Sequence, residues 1–399
     1  MDAIILDWLN LMLRWTHIIV AIAWIGSSFY FMWLDAHLEA PAVPNDEVEG
    51  ELWMVHSGGF YQVNKITVAP KVMPRTLHWF KWEAGWTGIT GIALLAVIYY
   101  LGSEAFLIDP QVSEITKWQA VGIGAGTLIV GWLLYDAMYM SSWGQENGTI
   151  ASAIAFAGLC GVAFGLSQVL SGRGAYVHVG ALMGIIMVLN VWIRIIPGQQ
   201  NLVDARKAGE EPDPSYGVRA KQRSVHNNYM TLPIVFIMIS SHYPETFGHP
   251  HNWAVLIALF VIGALVRHWF NLRNSGSSAI WPVPVAIAAM ASLASLISGP
   301  QILAKIEAAN AAPVAFAKIE TLVKIRCSSC HTVRPVQEGF KAPPKNIIFD
   351  TPEDIHKHAA MIRRTAVLTN TMPLGNITKM TPAERKLLGL WIDQGMKLD

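Results

Sequence analysis

The chain of 399 residues is 53% hydrophobic and only 14% charged, and it contains 16 tryptophans and 16 methionines. Soluble domains average about a quarter charged residues, so most of this chain is predicted to lie in a lipid bilayer. The formal net charge of +1 gives no basis for binding nucleic acid or another polyanion.

Apolar segments long enough to cross the roughly 30 Å hydrocarbon core of a membrane recur along the first three quarters of the chain. The eight segments lie at 11–34, 83–101, 118–138, 149–170, 176–196, 228–242, 253–272 and 280–298. The sixth is the shortest, and Pro233 interrupts it. The predicted fold class is all-α, with a polytopic bundle of about eight transmembrane helices in a membrane domain at 1–299.

Basic residues are distributed unevenly between the loops. The loop after the first segment carries Lys65, Lys71, Arg75 and Lys81, and the loop after the fifth carries Arg206, Lys207, Arg219, Lys221 and Arg223. Cytoplasmic loops are enriched in lysine and arginine, so both loops are predicted to face the cytoplasm. With eight spans, both termini then lie on the periplasmic side.

The segment Cys327-Ser328-Ser329-Cys330-His331 has the spacing C-x-x-C-H, the attachment signature of a c-type haem. Each thiol can form a thioether with a haem vinyl group, and the adjacent histidine then binds the iron. The competing interpretation is a zinc site, which normally needs a second pair of ligands, and none follows here. Cys160 lies alone in an apolar segment and is interpreted as a packing residue. We therefore predict covalent haem c at Cys327, Cys330 and His331.

A methionine follows the haem motif at a suitable distance for the opposite ligand. Met372 lies in the Pro/Gly-rich segment Thr371-Met372-Pro373-Leu374-Gly375. A thioether opposite histidine raises the haem potential, which suits an electron relay. Met361 and Met380 are the rival ligands, and a methionine that merely fills a gap in the loop is the structural alternative. Met372 is the predicted iron ligand together with His331.

The segments that flank the haem motif have helical patterns. Val314 to Ile325 is amphipathic, and Thr381-Pro-Ala-Glu384 is a capping box with proline at the first helical position. Leu387, Leu388, Trp391 and Ile392 follow at helical spacing. Together with the haem motif, these features resemble a class I cytochrome c domain at 312–399, joined through an alanine-rich linker at 300–311. The predicted topology places this domain in the periplasm, where haem c is attached.

Ionisable side chains inside a membrane are costly and mark functional sites. His17 lies in the first span and His178 opens the fifth, and the predicted topology puts both toward the periplasm. Two histidines from different helices can bind a non-covalent haem b; the alternative is that each is hydrogen-bonded at an interface. The stretch from His17 to Phe31 resembles the first helix of membrane protoporphyrinogen oxidases and copper-resistance membrane proteins. In the former the matching histidine binds haem, which supports His17 alone.

Two loops on the predicted cytoplasmic side combine cations, amides and aromatic rings. Residues 51–81 include Asn64 and Lys65, and residues 219–233 include a polar group made up of Arg223, His226, Asn227 and Asn228. A planar, polar, anionic ligand needs these three kinds of side chain in one place. The alternative is that the lysines and arginines only set the topology.

A membrane domain of about eight helices fused to a cytochrome c domain resembles the bacterial integral-membrane, cytochrome c-linked urate oxidase family. The resemblance extends from Trp15-Thr16-His17 to Trp391-Ile392. It implies oxidation of urate to 5-hydroxyisourate without peroxide. It also implies that electrons pass through haem c to the respiratory chain, by way of a soluble cytochrome c or a terminal oxidase.

Urate oxidation releases two electrons, whereas one haem c accepts a single electron. Either a urate radical persists between two successive transfers, or a second redox centre, which a haem b at His17 would provide, stores the other electron. His226, beside two amides, would accept a proton from water. Two other functions stay open. A quinol-oxidising membrane cytochrome would reduce haem c without a purine, and a copper-handling transporter would need Met/His pairs along one pore. The sequence leaves the oligomeric state open.

Overall fold

The computed structural model describes residues 3–102, 104–337 and 340–398. In these ranges the chain is mostly helical and has one two-stranded sheet. The helices are α1 Ala3–Ala36, α2 Trp82–Leu95, α3 Lys117–Met140, α4 Ser142–Glu146, α5 Gly148–Ser167, α6 Gly172–Leu189, α7 Ile196–Lys207, α8 Ser215–Ile239, α9 Pro244–Phe247, α10 Asn252–Asn274, α11 Pro282–Ala309, α12 Phe316–Arg326, α13 Pro352–Lys357, α14 Ala359–Ile362 and α15 Pro382–Asp393. Three π-helical segments, Ala96–Tyr100, Asn190–Ile195 and Arg363–Val367, continue α2, α6 and α14.

All eight predicted apolar segments fall on helices, and six of the described helices are long and apolar enough to cross a membrane. These six are Ile5–Ala36, Lys117–Met140, Gly148–Ser167, Gly172–Lys207, Asn252–Asn274 and Pro282–Ala309. The other two segments correspond to α2, which has 14 residues before its π-helical continuation, and to α8, whose first half is polar. The chain therefore has the helices of a multi-pass membrane protein.

The first basic loop is not irregular but contains a β-hairpin. Strands β1, Val48–His56, and β2, Gly59–Ile66, pair antiparallel, and the last pair joins His56 to Gly59. The two turn residues, Ser57 and Gly58, have φ values of 49° and 78°, and a two-residue hairpin turn with both φ values positive matches the twist of the strands. The all-α prediction is therefore wrong for this loop. A Ser-Gly pair between two segments rich in aromatic and β-branched residues was the available sequence signal.

The chain divides into two compact units. The first unit comprises residues 1–97, 181–235 and 260–287, and it contains the hairpin, α1, α2 and most of α8 and α10. Glycines allow close helix packing in it. A Cβ atom at Gly85 would lie 2.9 Å from the ring of Trp192, and one at Gly88 would lie 2.9 Å from Val188. These contacts hold α2 against the end of α6 and its π-helical continuation.

The second unit comprises residues 98–180, 236–259 and 288–399. Its C-terminal part has a hydrophobic core of its own, to which α12 and α15 contribute Ile319, Val323, Leu388 and Trp391. Both helices were predicted, and α15 begins at the predicted capping box, in which the Thr381 side chain accepts from the backbone N–H of Glu384. The segment predicted as a linker differs, because α11 continues through it to Ala309.

Candidate functional site

The C-x-x-C-H motif forms a tight turn at the end of α12. Cys327 caps the helix, and its carbonyl oxygen accepts from the backbone N–H of Cys330 at 3.2 Å and of His331 at 3.0 Å. The His331 Nδ1 lies 3.0 Å from the carbonyl oxygen of Ile347. A carbonyl only accepts, so Nδ1 carries the proton and Nε2 has a free lone pair. Burial lowers the pKa of His331, which keeps the imidazole neutral at physiological pH.

The three candidate methionines have different environments in the same C-terminal core. Met380 is 1% exposed and is part of the core itself, whereas Met361 and Met372 are half-buried at its edge. The backbone of Met372 is fixed on both sides, because its N–H donates to Thr365 and its carbonyl accepts from Arg385 Nη1 at 2.6 Å. Met380 packs in this core, and the role of Met372 as an iron ligand stays a prediction.

His17 is half-buried on α1. Its Nδ1 lies 2.9 Å from the hydroxyl of Thr90, and that hydroxyl donates to the carbonyl of Trp86 at 2.7 Å. Because the hydroxyl proton is already used in that hydrogen bond, the Thr90 oxygen accepts from the Nδ1–H of His17. No described residue forms a hydrogen bond with Nε2. A histidine that binds a metal through one ring nitrogen usually donates a hydrogen bond from the other nitrogen to a neighbouring residue. The geometry of His17 is therefore compatible with a ligand role.

His178, by contrast, has both ring nitrogens in hydrogen bonds. It is fully buried, Nδ1 lies 2.8 Å from the carbonyl oxygen of Gly174, and Nε2 lies 3.0 Å from the hydroxyl of Tyr100. The ring is also stacked on Tyr100. Since a ligand nitrogen must be free of a proton donor, this arrangement does not fit iron binding unless Tyr100 moves.

The predicted polar group on α8 forms part of a buried network in the first unit. Arg223 and Asn227 lie one helical turn apart and both contact Asn190, the first residue of a π-helical segment. Arg223 Nη1 donates to Asn190 Oδ1 at 3.3 Å, and Asn190 Nδ2 donates to Asn227 Oδ1 at 2.9 Å. Asn227 in turn donates to the carbonyl of Met187 at 3.0 Å. π-Helical segments often occur at functional sites.

His226 and Asn228 take two further positions on α8. Burial and then the charge of Arg223 lower the pKa of His226 to about 4, so its imidazole is neutral at physiological pH. Asn228 is fully buried and accepts from Arg267 Nε through Oδ1, while its Nδ2 lies 3.4 Å from Asn271 Oδ1. An asparagine side chain therefore accepts from an arginine at two places, Asn190 from Arg223 and Asn228 from Arg267.

Arg267 is a candidate functional residue that the sequence motifs do not single out. It lies on α10 and is 3% exposed, and its guanidinium carbon lies 3.9 Å from the ring centroid of Phe29. Its position inside the apolar segment 253–272 was the available signal, because an ionisable residue within a membrane span marks a functional site.

An open cavity of about 690 Å³ adjoins this network in the first unit. Its wall includes Trp24, Ser28, Asp35, Lys65, Lys221 and Asn227. The two lysines are not available as free cations, because Asp35 forms an ion pair with each of them and Glu49 with Lys65 at 2.9 Å. The expectation that the loop lysines supply an anion site is therefore not supported. The buried arginines are the better source of positive charge.

One comparison with known proteins gives a match. A family model described as "Urate oxidase N-terminal" matches residues 3–298 of the 399. The match covers the helices and the hairpin that form the cavity and the polar network, and it ends within α11. No curated protein and no solved structure gives a significant match.

Proposed function

Because the chain belongs to the urate oxidase N-terminal family, we propose that it oxidises urate to 5-hydroxyisourate in the bacterial inner membrane. The electrons pass to a haem c on the C-terminal segment and from there to a soluble cytochrome c or a terminal oxidase. The family match supports a urate-related oxidoreductase, and the apolar helices support a membrane location. The acceptor and the mechanism are our inference.

The observation that carries the proposal is the buried network of arginine and amide groups beside the cavity. Asn227 is both a wall residue of the cavity and a partner of Asn190, so the network reaches the space that a ligand can enter. A purine such as urate has several carbonyl and N–H groups in one plane. Amide side chains match such an edge, because each offers one acceptor and two donors.

The reaction converts urate and water to 5-hydroxyisourate, two protons and two electrons. A new bond forms between C5 of the purine and the water oxygen, and the electron pair leaves the purine. His226, a neutral imidazole next in sequence to the cavity residue Asn227, is the proposed proton acceptor. Asn227, which lines the cavity, is proposed to contact the purine, while Arg223 positions Asn227 through Asn190 and Asn228 positions Arg267.

The residues around the C-x-x-C-H motif fit haem c. The free Nε2 of His331, the adjacent thiols and the half-buried Met372 are the chemical groups that such a haem requires. When bound, haem c supplies a one-electron acceptor. We also propose a non-covalent haem b at His17, where Thr90 fixes the tautomer. The second ligand predicted for it, His178, fits less well, because Tyr100 occupies its Nε2.

The test is anaerobic titration of the purified full-length protein with urate, followed through the haem c absorption band. We expect two haems to be reduced for each urate consumed, counting haem c and any haem b together, with formation of 5-hydroxyisourate and no peroxide when air is admitted. The double variant Cys327→Ala/Cys330→Ala is the control without covalent haem. Reduction by a quinol but not by urate would contradict the proposal and favour a quinol-oxidising cytochrome.

A further inference from the structure

Arg267 carries a buried charge that the described residues do not neutralise. Its Nε donates to Asn228 Oδ1, and its Nη2 is buried without a hydrogen-bond partner in the described part of the chain. None of the ion pairs formed by the described residues involves Arg267. The groups that contact its guanidinium include a neutral amide and the face of the Phe29 ring.

A buried cation in this state is expensive. Only a nearby anion or a dense set of hydrogen bonds offsets the cost of removing a charge from water. A cation–π contact is weaker than an ion pair with an anion, and one amide oxygen adds a single charge-assisted hydrogen bond. These two contacts do not fully offset the free-energy cost of removing the guanidinium from water. The site therefore favours a negative charge near Arg267.

The cavity of the first unit is lined by sequence neighbours of the two residues that hold this charge. Ser28 and Asn227 line the cavity, and their sequence neighbours Phe29 and Asn228 hold the guanidinium. Arg267 itself does not line the cavity, so it acts on a ligand through the electric field and not through contact. The lysines on the wall cannot produce the same field, because Asp35 and Glu49 together balance their two charges.

We propose that Arg267 is the residue that selects an anionic substrate for the cavity. The ligand class is a planar heterocycle with one negative charge, which urate is at neutral pH, and Asn228 positions the guanidinium behind the cavity wall. The proposal rests on the proposed function, because it assigns the specificity of that same site. A neutral purine of the same shape, such as xanthine at mildly acidic pH, would gain nothing from this charge.

The test measures binding of radiolabelled urate and of xanthine by equilibrium dialysis with the full-length protein. The protein is kept reduced with dithionite so that urate is not consumed. For Arg267→Gln we expect urate binding to weaken by about tenfold or more, as removal of a unit charge in a medium of intermediate dielectric would produce. Xanthine binding should change little, and Arg267→Lys should restore most of the urate affinity.

Two further variants keep the result interpretable. Asn228→Asp places a carboxylate against Arg267, which neutralises the charge without removing the side chain, so it should also lower the ratio of urate to xanthine affinity. Arg273→Gln removes an exposed arginine from the same helix and should leave both affinities unchanged. An equal loss of urate and xanthine binding in Arg267→Gln and Asn228→Asp, or no loss in either variant, would overturn the proposal. Failure of the wild type to bind or oxidise urate would instead contradict the proposed function.

Discussion

The hydrogen-bond partner of Nδ1 fixes the tautomer of each candidate haem histidine. In His17 the partner is the hydroxyl of Thr90, and in His178 and His331 it is a backbone carbonyl. Nε2 is therefore the nitrogen with a lone pair in all three. In His178 the lone pair is occupied by Tyr100, which separates this residue from the other two.

At the residue scale, His17 can be tested by haem content. His17→Ala should remove any non-covalent haem b, and Thr90→Val should weaken its retention, because the valine cannot accept from Nδ1. The measurement is the ratio of haem b to haem c in a pyridine haemochrome spectrum. His37→Ala, immediately after the end of α1, is the control. An unchanged ratio in His17→Ala would show that His17 is a packed histidine and not a ligand.

The low pKa of His226 predicts a pH dependence of stability. Its pKa is about 4 in the folded protein and has a reference value of 6.5, so between these values the unfolded chain binds a proton that the folded chain does not. The free energy of unfolding should therefore fall as the pH decreases through this window. The melting temperature of His226→Gln should depend less on pH than that of the wild type. The exposed His56→Gln is the control, and parallel curves for His226→Gln and wild type would contradict the prediction.

At the scale of elements, one glycine on α3 makes room for the Tyr100–His178 pair. A Cβ atom at Gly124 would lie 2.4 Å from His178 Nε2 and 3.0 Å from the Tyr100 hydroxyl, whereas a Cβ at Gly126 would meet nothing within 4 Å. Gly124→Ala should therefore destabilise the protein by about 1–3 kcal/mol. Gly126→Ala should be neutral or stabilising by up to about 1 kcal/mol, because alanine favours the helix. The measurement is the melting temperature of each variant in thermal unfolding. Equal melting temperatures would contradict the packing of α3 on His178.

A bidentate ion pair in the second unit joins α9 to the π-helical segment 363–367. Arg364 Nε and Nη2 donate to the two carboxylate oxygens of Glu245 at 2.8 and 2.9 Å, and Nη2 also donates to the carbonyl of His242. The pair is partly exposed, so its contribution to stability is about 1 kcal/mol or less. Its stronger effect is geometric, because it fixes the segment that precedes Met372.

Breaking this pair should therefore slow electron transfer more than it lowers stability. We expect Glu245→Gln to decrease the rate of haem c reduction by urate several-fold, while dithionite reduction and the melting temperature stay close to wild type. Glu320→Gln, which breaks the exposed Lys324–Glu320 pair in α12, is the matched control. The double charge reversal Glu245→Arg/Arg364→Glu should restore the rate. If Glu245→Gln lowers the melting temperature strongly and leaves the rate of haem c reduction unchanged, the Glu245–Arg364 pair contributes to stability alone.

At the scale of the whole molecule, the distribution of basic residues predicts the topology. A reporter fused after residue 210 should be cytoplasmic, and one fused after Asp399 should be periplasmic. Six described helices satisfy the length and apolarity of a span, and α2 and α8 would complete the eight that were predicted. Reporters placed in the loops before and after α8 test whether this helix crosses the membrane. If both read the same side, α8 does not cross the membrane.

The sequence by itself determined the features that depend on local spacing. The haem motif, the capping box at Thr381, the apolar helices and the two basic loops are each encoded within a few consecutive turns. Residue type and periodicity are sufficient for such features, because the interacting groups are neighbours along the chain. Even the hairpin in the first loop had a local signal in Ser57-Gly58.

Only the tertiary structure decided which charges are neutralised. Lys221 pairs with Asp35, which lies 186 residues away, and Arg267 is held by Asn228, 39 residues away, without a carboxylate among the described residues. No pattern within a helix indicates whether a cation finds an anion on another helix. The energy of a buried charge depends on partners that only the folded chain brings to it. The sequence therefore suggested the loop lysines as ligand groups and did not indicate Arg267.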